Sequence, residues 1–298
     1  MIQFGIDLGG TKTEILALDV QGNILLNHRV DTPTNNYPAT LDCINQLVVN
    51  AEKELSTQGT VGICTPGSLS PRTGLLRNSN STCLNNQPFK QDIEKLLKRE
   101  IRISNDANCF ALSEAIDGAA IDAEILFGVI IGTGCGAGIV VNKQIINGPN
   151  SISGEWGHNP IPWPDHEEIN GLQCWCGKRG CIETYISGTG FTEDYYRLTN
   201  ISKQGKQIVA DAQNGEAAAC KVIQRYEIRL AKSLAHIINI LDPDTIVLGG
   251  GMSNIQSLYK NIPKIWNEYV FSDTVLTQLV APLHGDASGV RGAARLWN

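Results

Sequence analysis

Apolar residues along this chain recur in short runs punctuated by glycine, proline and polar turns. Ile2–Leu8 and Thr13–Leu18 are apolar runs split by Gly9-Gly10-Thr11-Lys12, and Asn23–Val30 follows the turn residues Gln21-Gly22. The pattern predicts three antiparallel strands joined by tight turns. Leu41, Ile44, Leu47, Val48, Ala51 and Leu55 then share one helical face. Thr60–Thr65 reads as a strand stopped by Pro66-Gly67, and Ile101–Ser104 as a strand feeding a helix from about Asp106 to Asp117. Strands first, then alternating strand and helix, predict an α/β layer with a mixed sheet.

The second half opens as the first does. Gly5-Ile-Asp-Leu-Gly9-Gly and Gly128-Val-Ile-Ile-Gly132-Thr align at an offset of 123, each a strand, a glycine turn and a strand. Such halves predict a duplicated fold with a cleft between the copies. Ile223, Tyr226, Leu230, Leu234, Ile237 and Leu241 mark a long amphipathic helix closed by Pro243. Thr245–Leu248 is a strand ending in Gly249-Gly250-Gly251, with a helix expected from about Asn254. Residues 149–181 are rich in Pro, Gly, Trp and Cys and show no period, and a stretch of that length inside a compact domain is usually functional. The segment from Gly285 starts a last helix, expected to cross back to the first domain. The expected division is a smaller N-terminal α/β lobe over 1–118, joined by the helix at 288–298, and a larger α/β lobe over 119–287.

The 298 residues are 42% hydrophobic and 18% charged, which excludes a disordered chain and suggests about two domains. Twenty-four Lys and Arg against 30 Asp and Glu give −6, against general affinity for nucleic acid or anionic membrane. No secretory leader and no run of about 18 apolar residues appears. Nine cysteines, six scattered singly and three clustered, fit a reducing cytoplasm with one metal site better than oxidised export.

Three glycine turns stand at strand ends: Gly9-Gly10-Thr11-Lys12, Gly132-Thr133-Gly134 and Gly249-Gly250-Gly251. Phosphate needs backbone N–H donors at close range, and glycine leaves the approach open. Each turn alone is better explained as a hairpin; none has P-loop spacing. Together, with Asp7 before the first and Thr133 inside the second, they point to a nucleoside triphosphate whose magnesium Asp7 would hold through water. Asn105-Asp106, where a strand hands over to a helix, reads equally as a cap or as catalytic. Phosphoryl transfer to an alcohol needs a carboxylate to orient the hydroxyl and take its proton, and the strand-end position of Asp106 favours that role.

His158, Cys174, Cys176 and Cys181 match a closed Cys₃His structural Zn²⁺ site, with Gly177 and Gly180 supplying turns. Bound zinc would contribute on the order of 10 kcal/mol to folding of a loop with little core of its own. Glu155 and Glu183 flank the cluster and would line a polyol site beside the imidazole. His166, Glu167 and Glu168 read as a solvated charge run, and His28, His236 and His284 as isolated.

Taken in order, several motifs resemble the ROK family. They are Asp7-Leu-Gly-Gly-Thr-Lys12, Thr65-Pro-Gly67, Asn105-Asp-Ala-Asn108, Gly132-Thr-Gly134, Gly154-Glu-Trp-Gly-His158, Cys174-x-Cys176-Gly-x-x-Gly-Cys181-Ile-Glu183 and Gly249-Gly-Gly251. The resemblance implies a two-lobed actin-like (ribonuclease H-like, duplicated) sugar kinase with ATP and sugar in the cleft and a zinc-stapled loop. It implies Asp106 as general base and Gly67, Asn80, Asn105, Asp106, Glu155, His158 and Glu183 as sugar contacts, with His158 also a zinc ligand. Gly9, Gly10, Thr11 and Lys12 match the first phosphate loop, Gly132, Thr133 and Gly134 the second, and Gly249, Gly250 and Gly251 the adenosine side. Asn78–Phe89 and Glu155–Trp163 look most like bacterial fructokinases of the manno(fructo)kinase type. Cys83 departs from them, standing where they carry tryptophan, which would widen the sugar pocket.

The expected activity is therefore Mg-ATP-dependent phosphorylation of fructose, with mannose or glucose as further substrates, at the 6-hydroxyl. N-acetylglucosamine kinase is the alternative within the family. A sugar-responsive repressor is disfavoured, because no helix-turn-helix precedes the first strand at Ile2. A sugar sensor without catalysis is disfavoured by the presence of Asp7, Asp106 and the glycine turns. No nucleic-acid or membrane partner is expected, and a homodimer is expected from the resemblance alone.

Overall fold

The computed structural model describes residues 1–298, the side chain of Asp286 excepted. Its elements are β1 (Ile2–Leu8), β2 (Lys12–Leu18), β3 (Ile24–Asp31), α1 (Tyr37–Leu55), β4 (Gly59–Cys64), β5 (Ser68–Leu69), β6 (Leu76–Arg77), α2 (Phe89–Leu97), β7 (Arg102–Ser104) and α3 (Asp106–Asp117). The chain continues through β8 (Ile125–Ile131), β9 (Cys135–Val141), β10 (Gln144–Ile145), α4 (Glu183–Ile186), α5 (Gly188–Thr199), α6 (Gly205–Gln213) and α7 (Ala217–Leu241). It ends in β11 (Thr245–Gly249), α8 (Ser257–Ile265), β12 (Gln278–Val280) and α9 (Ser288–Ala294). Two compact units result: Met1–Asp122 with Gly138–Ser153 and Leu283–Asn298, and Ala123–Ala137 with Gly154–Pro282.

In the first unit the sheet runs β3-β2-β1-β4-β7, antiparallel through β1 to β3 and parallel from β1 through β4 to β7. One face packs Phe4, Ile6, Leu8 and Ile15 against Ile44 and Val48 of α1 and Phe89 and Ile93 of α2. Asn36 caps α1 by accepting from Ala39 N at 3.0 Å, and Pro38 sits in its first turn, where a missing N–H costs nothing. The other face receives α9, whose Val290 and Ala294 meet Leu16 and Leu18. Gly5 and Gly62 are paired across β1 and β4 beneath it. A Cβ at Gly62 would stand 1.9 Å from the Ala293 carbonyl oxygen, and one at Gly5 2.1 Å from that of Val290. Gly292 does the same towards α3, 1.7 Å from the Cys109 carbonyl oxygen. Backbone therefore rests on backbone at three points.

Residues 138–153 were expected in the second lobe, yet they group with the first unit. Gly138 carries no Cβ to strike the Ala107 carbonyl oxygen, which would lie at 2.5 Å, and Lys143 Nζ donates to the carbonyls of Ala115 and Ile121. The packing onto α3 is invisible in hydrophobic pattern because it uses a glycine and a lysine.

In the second unit β8, β11 and β12 run parallel in that order. The helix expected from Asn254 begins instead at Ser257. A 3₁₀ turn, Gly251–Asn254, intervenes, held by Ser253 N and Oγ donating to the Gly250 carbonyl at 3.1 and 2.7 Å. Along α7 the apolar face buries Tyr226, Leu230, Leu234 and Ile237 as expected, but Glu227, Arg229 and Lys232 are buried too. Their partners overturn the reading of Glu168 as solvated, since it is 3% exposed. Arg229 Nε donates to Glu168 Oε1 at 2.6 Å and its Nη1 reaches Asp194 Oδ2 at 3.0 Å. Lys232 Nζ lies 3.9 Å from Glu168 and donates to the Trp163 carbonyl at 2.8 Å. Cations one helical turn apart on α7 thus pull the loop carboxylate inward. His284 is not isolated either, its Nε2 lying 3.1 Å from Asp117 Oδ1. No helix among the described residues is long and apolar enough to cross a membrane.

Gly62→Ala is expected to cost about 3 kcal/mol or more, at the upper end of overpacking penalties, because its obstacle is backbone. Urea unfolding measures this, and a variant as stable as the parent would show that α9 can lift without loss.

Candidate functional site

In the first unit, β1 delivers Asp7 to the strand's end, in register with Glu14 of β2 and Cys64 of β4. Asp7 is half-buried, and burial pushes its carboxyl up to about 6; the Cys64 thiol opposes this, while Asp106 and Glu14 add repulsion. Gly9 N donates to the Lys12 carbonyl at 3.0 Å, closing the first glycine turn. Thr32 clasps it from β3's end: its N donates to the Thr11 carbonyl and its Oγ1 to that of Gly9, both at 2.9 Å. Gly10 and Thr11 remain exposed beyond the clasp. Lys12 Nζ is paired with Asp31 on the surface.

Asn105 is the cap of α3, its Oδ1 accepting from Asn108 N at 2.8 Å. Asp106 is the first helical residue, with Oδ1 taking the Ala107 N–H at 2.9 Å. Its side chain retains solvent access, yet the protein packed around it raises its pKa by desolvation, against the N–H groups of Ala107 and its own backbone. Gly67 adopts φ +86°, and a Cβ there would lie 2.3 Å from the Arg77 carbonyl oxygen. That approach seats the loop carrying Asn80, which Asn85 pins by accepting from Ser79 N at 2.9 Å and donating to its carbonyl at 2.8 Å. Asn80 itself is exposed. Asn80 and Cys83 border a cavity of about 380 Å³ together with Gly10, Thr11, Pro33 and Leu84.

In the second unit, Gly132 N donates to the Gly134 carbonyl at 3.0 Å, closing the matching turn. The N-terminus of α5 is joined to it: Gly188 N donates to the Gly132 carbonyl at 2.7 Å and Thr189 Oγ1 to that of Thr133 at 3.0 Å. Gly249 ends β11 paired with Ile130, and Gly250 takes φ +78° with room for no side chain, a Cβ lying 2.5 Å from the Ile131 carbonyl oxygen. A cavity of about 820 Å³ follows, lined by Gly132, Thr133, Gly188, Thr189, Gln204, Lys206, Val209, Gly251, Met252 and Ile255. The lining combines the backbone of the glycine turns with the apolar side chains of Val209, Met252 and Ile255, so it offers both N–H donors and an apolar surface. The sequence motifs supplied the turns; Thr189, Gln204, Lys206, Val209, Met252 and Ile255 carried no signal, because α5, α6 and the 3₁₀ turn bring them together only in the fold.

The loop after Gly154 is built around the cysteines. Trp156 is buried edge-on against Phe127 at 5.4 Å, and Gly157 lies so close to the Cys135 carbonyl that a Cβ would reach 2.5 Å. Together they set the short 3₁₀ turn bearing His158, with Glu155 exposed at its start. Ligand atoms of His158, Cys174, Cys176 and Cys181 all lie within 4.8 Å of one another. Cys174 Sγ is 3.7 Å from His158 Nδ1, and Cys176 Sγ 3.6 Å from Cys181 Sγ. A tetrahedron with Zn–S bonds of about 2.3 Å has edges of about 3.7 Å, so the donors fit zinc. Burial pushes the Cys174 thiol up and that of Cys181 to about 12, whereas backbone donation from Lys178 lowers Cys176. Crowded thiols of this kind ionise together only around a cation. Glu183, at the start of α4, accepts from Cys135 N at 2.9 Å through Oε2 and from Trp175 Nε1 at 2.6 Å through Oε1.

Purified protein is expected to carry about one zinc per chain, and Cys181→Ser to lose it with a fall in melting temperature. Elemental analysis with calorimetry checks both. A zinc-free parent as stable as the metal-loaded one would overturn the fit.

Comparison with known proteins bears on the whole chain. It is 38% identical over 298 residues to an N-acetyl-D-glucosamine kinase of Pectobacterium atrosepticum, covering 98% of each chain. A ROK hexokinase of Thermus thermophilus superposes with a TM-score of 0.89 at 26% identity, covering 99% of this chain and 97% of that one. A ROK glucokinase of Streptomyces griseus, solved with glucose and AMPPNP, gives a TM-score of 0.78 at 25% identity over 99% of both. The sequence relative is an N-acetyl-D-glucosamine kinase rather than one of the fructokinases that Asn78–Phe89 and Glu155–Trp163 resemble. The ROK family model matches residues 3–298, and this chain, with its two-lobed α/β sugar-kinase fold, belongs to the ROK family.

Proposed function

We propose that this chain is an ATP-dependent N-acetylglucosamine kinase, transferring the γ-phosphoryl group to the sugar's 6-hydroxyl. The identity of 38% along 298 residues to an enzyme of that name carries the reading. The cavity bordered by Cys83 and Asn80 supports it, because an acetamido group needs more room at the sugar wall than a hydroxyl. Fructose, the substrate first expected, becomes the competing outcome.

Each residue then has a task. Asp106 orients the 6-hydroxyl and takes its proton; desolvation raises its basicity, which suits a group that accepts a proton late in transfer. Asn80, Asn105, Glu155, His158 and Glu183 hold ring hydroxyls, and Gly67 seats the Asn80 loop. Asn105 spends Oδ1 on its cap, so its amide nitrogen is the group offered to sugar. Backbone N–H groups of Gly10, Thr11, Thr133 and Gly134 receive phosphate oxygens, and the cavity between α5, α6 and Gly251 takes adenosine. Lys12, partnered by Asp31, contributes to the electrostatic surroundings of the first turn. Asp7 would hold the magnesium ion, which would supply positive charge to the phosphates. Zinc, which His158 and the three cysteines would hold, would supply structure and no step.

ADP release with Mg-ATP across N-acetylglucosamine, N-acetylmannosamine, glucose, mannose and fructose should favour N-acetylglucosamine by kcat/KM. A clear preference for fructose would overturn the substrate. Asp106→Asn should remove turnover and leave sugar binding intact by calorimetry; turnover at even a tenth of the parent, roughly 1.4 kcal/mol of barrier, would exclude Asp106 as base.

The raised Asp7 carboxyl makes a separate prediction. Its pKa of about 6 lies above the unfolded value, so the charged form costs stability at neutral pH and protonation relieves that cost. Asp7→Asn should therefore stabilise the fold above pH 6 by on the order of 2 kcal/mol, the gain shrinking to nothing as pH falls towards 4. The same substitution should abolish magnesium-dependent turnover. Equal stability of parent and variant at pH 8 would contradict the burial of this charge.

A further inference from the structure

We propose that Trp175 is a positioning residue that fixes the Glu183 carboxylate and couples it to the metal knuckle. The inference rests on the reading of Glu183 as a sugar contact. Trp175 stands between the thiols of Cys174 and Cys176, on a turn closed by Cys174 N donating to the Lys178 carbonyl at 2.9 Å and Gly177 N to that of Cys174 at 3.0 Å. Trp175 is 77% exposed, so burial does not hold it in place. Two directed contacts do. Nε1 donates to Glu183 Oε1 at 2.6 Å, and the ring meets His158 edge-on with centroids 5.0 Å apart at 83°.

Glu183 is thereby gripped from two sides. The second grip is Cys135 N, the first N–H after the Gly132-Thr133-Gly134 turn, at 2.9 Å from Oε2. Gly134 makes this approach possible, since a Cβ there would lie 2.8 Å from the same oxygen. A carboxylate has about four acceptor positions, so two N–H donors leave two for the hydroxyls of a ligand. Without the indole N–H, one backbone contact remains and the long glutamate side chain regains rotamer freedom. Metal ligation acts on the same point, because the thiols flanking Trp175 and the imidazole against its ring belong to the zinc set.

The test is Trp175→Phe, which keeps a ring against His158 and removes the N–H. A charge-assisted hydrogen bond lost from a binding carboxylate predicts a rise of about tenfold in KM for the sugar. Because ground state and transition state use the carboxylate alike, kcat and KM for Mg-ATP should stay within about twofold of the parent. Zinc content should remain at that of the parent. A second readout needs no loss of function: the chain has five tryptophans, and sugar should change the fluorescence of the parent and of Trp163→Phe but not of Trp175→Phe. A sugar KM within twofold of the parent, loss of zinc from Trp175→Phe, or a parent fluorescence indifferent to sugar would each overturn the proposal. Glu183→Ala separates the two levels. If it leaves sugar KM unchanged, the sugar-site reading fails; if it raises KM while Trp175→Phe does not, only the role of Trp175 fails.

Discussion

The contact of α9 with the first sheet is backbone against backbone, and the site in that unit depends on it. Gly5 and Gly62, neighbours across β1 and β4, open a gap in the sheet surface into which the carbonyls of Val290 and Ala293 settle. Close packing at native density leaves no slack for a methyl group there. On the same strands, two residues further along, stand Asp7 and Cys64. Gly289 at the start of α9 lies against them, a Cβ there being 3.4 Å from Asp7 Oδ2. The helix packed on this sheet thus shares in covering the Asp7 carboxylate, whose pKa burial raises. Through Gly292, α9 also rests on α3, the helix that Asp106 begins. One small-residue helix sets the height of both acidic groups.

The same economy governs the second unit by different means. Its Pro- and Gly-rich loop has few apolar residues to bury, and two polar anchors replace a core. Four ligand atoms gather at one end, and at the other Glu168 enters a buried network with Arg229 and Asp194. Buried ion pairs of this sort add little net stability, but breaking one leaves an uncompensated charge, so they specify a conformation strongly.

Legibility in the sequence followed the kind of force involved. Strand alternation and turn residues announced β1 to β3, and the apolar faces of α1 and α7 were readable because hydrophobic burial is periodic. The metal cluster was readable because ligation constrains residue type and spacing. Buried charge was not: Glu168, Glu227, Arg229 and Lys232 have the composition of a solvated surface, and only their partners from distant segments reveal otherwise. The same holds for the nucleotide-sized cavity, where Met252, Ile255 and Lys206 converge from separate elements. Asn105-Asp106 was half legible, since either residue could cap a helix and only the structure gives the cap to Asn105, leaving Asp106 Oδ1 to accept from Ala107 N.

The glycine seat also has a bearing on biosynthesis. The first unit is assembled from three stretches of chain, the last of them Leu283–Asn298. During translation the β1–β4 surface therefore emerges long before the helix that covers it. At about 5–20 residues per second, the more than 200 residues between Gly62 and α9 correspond to roughly 10–50 s. For that interval the glycine-lined face stays uncovered, and by its end the main segment of the second unit, Gly154–Pro282, has already been made. The order of synthesis thus makes the acidic pair, Asp7 and Asp106, the last part of the molecule to acquire its final surroundings.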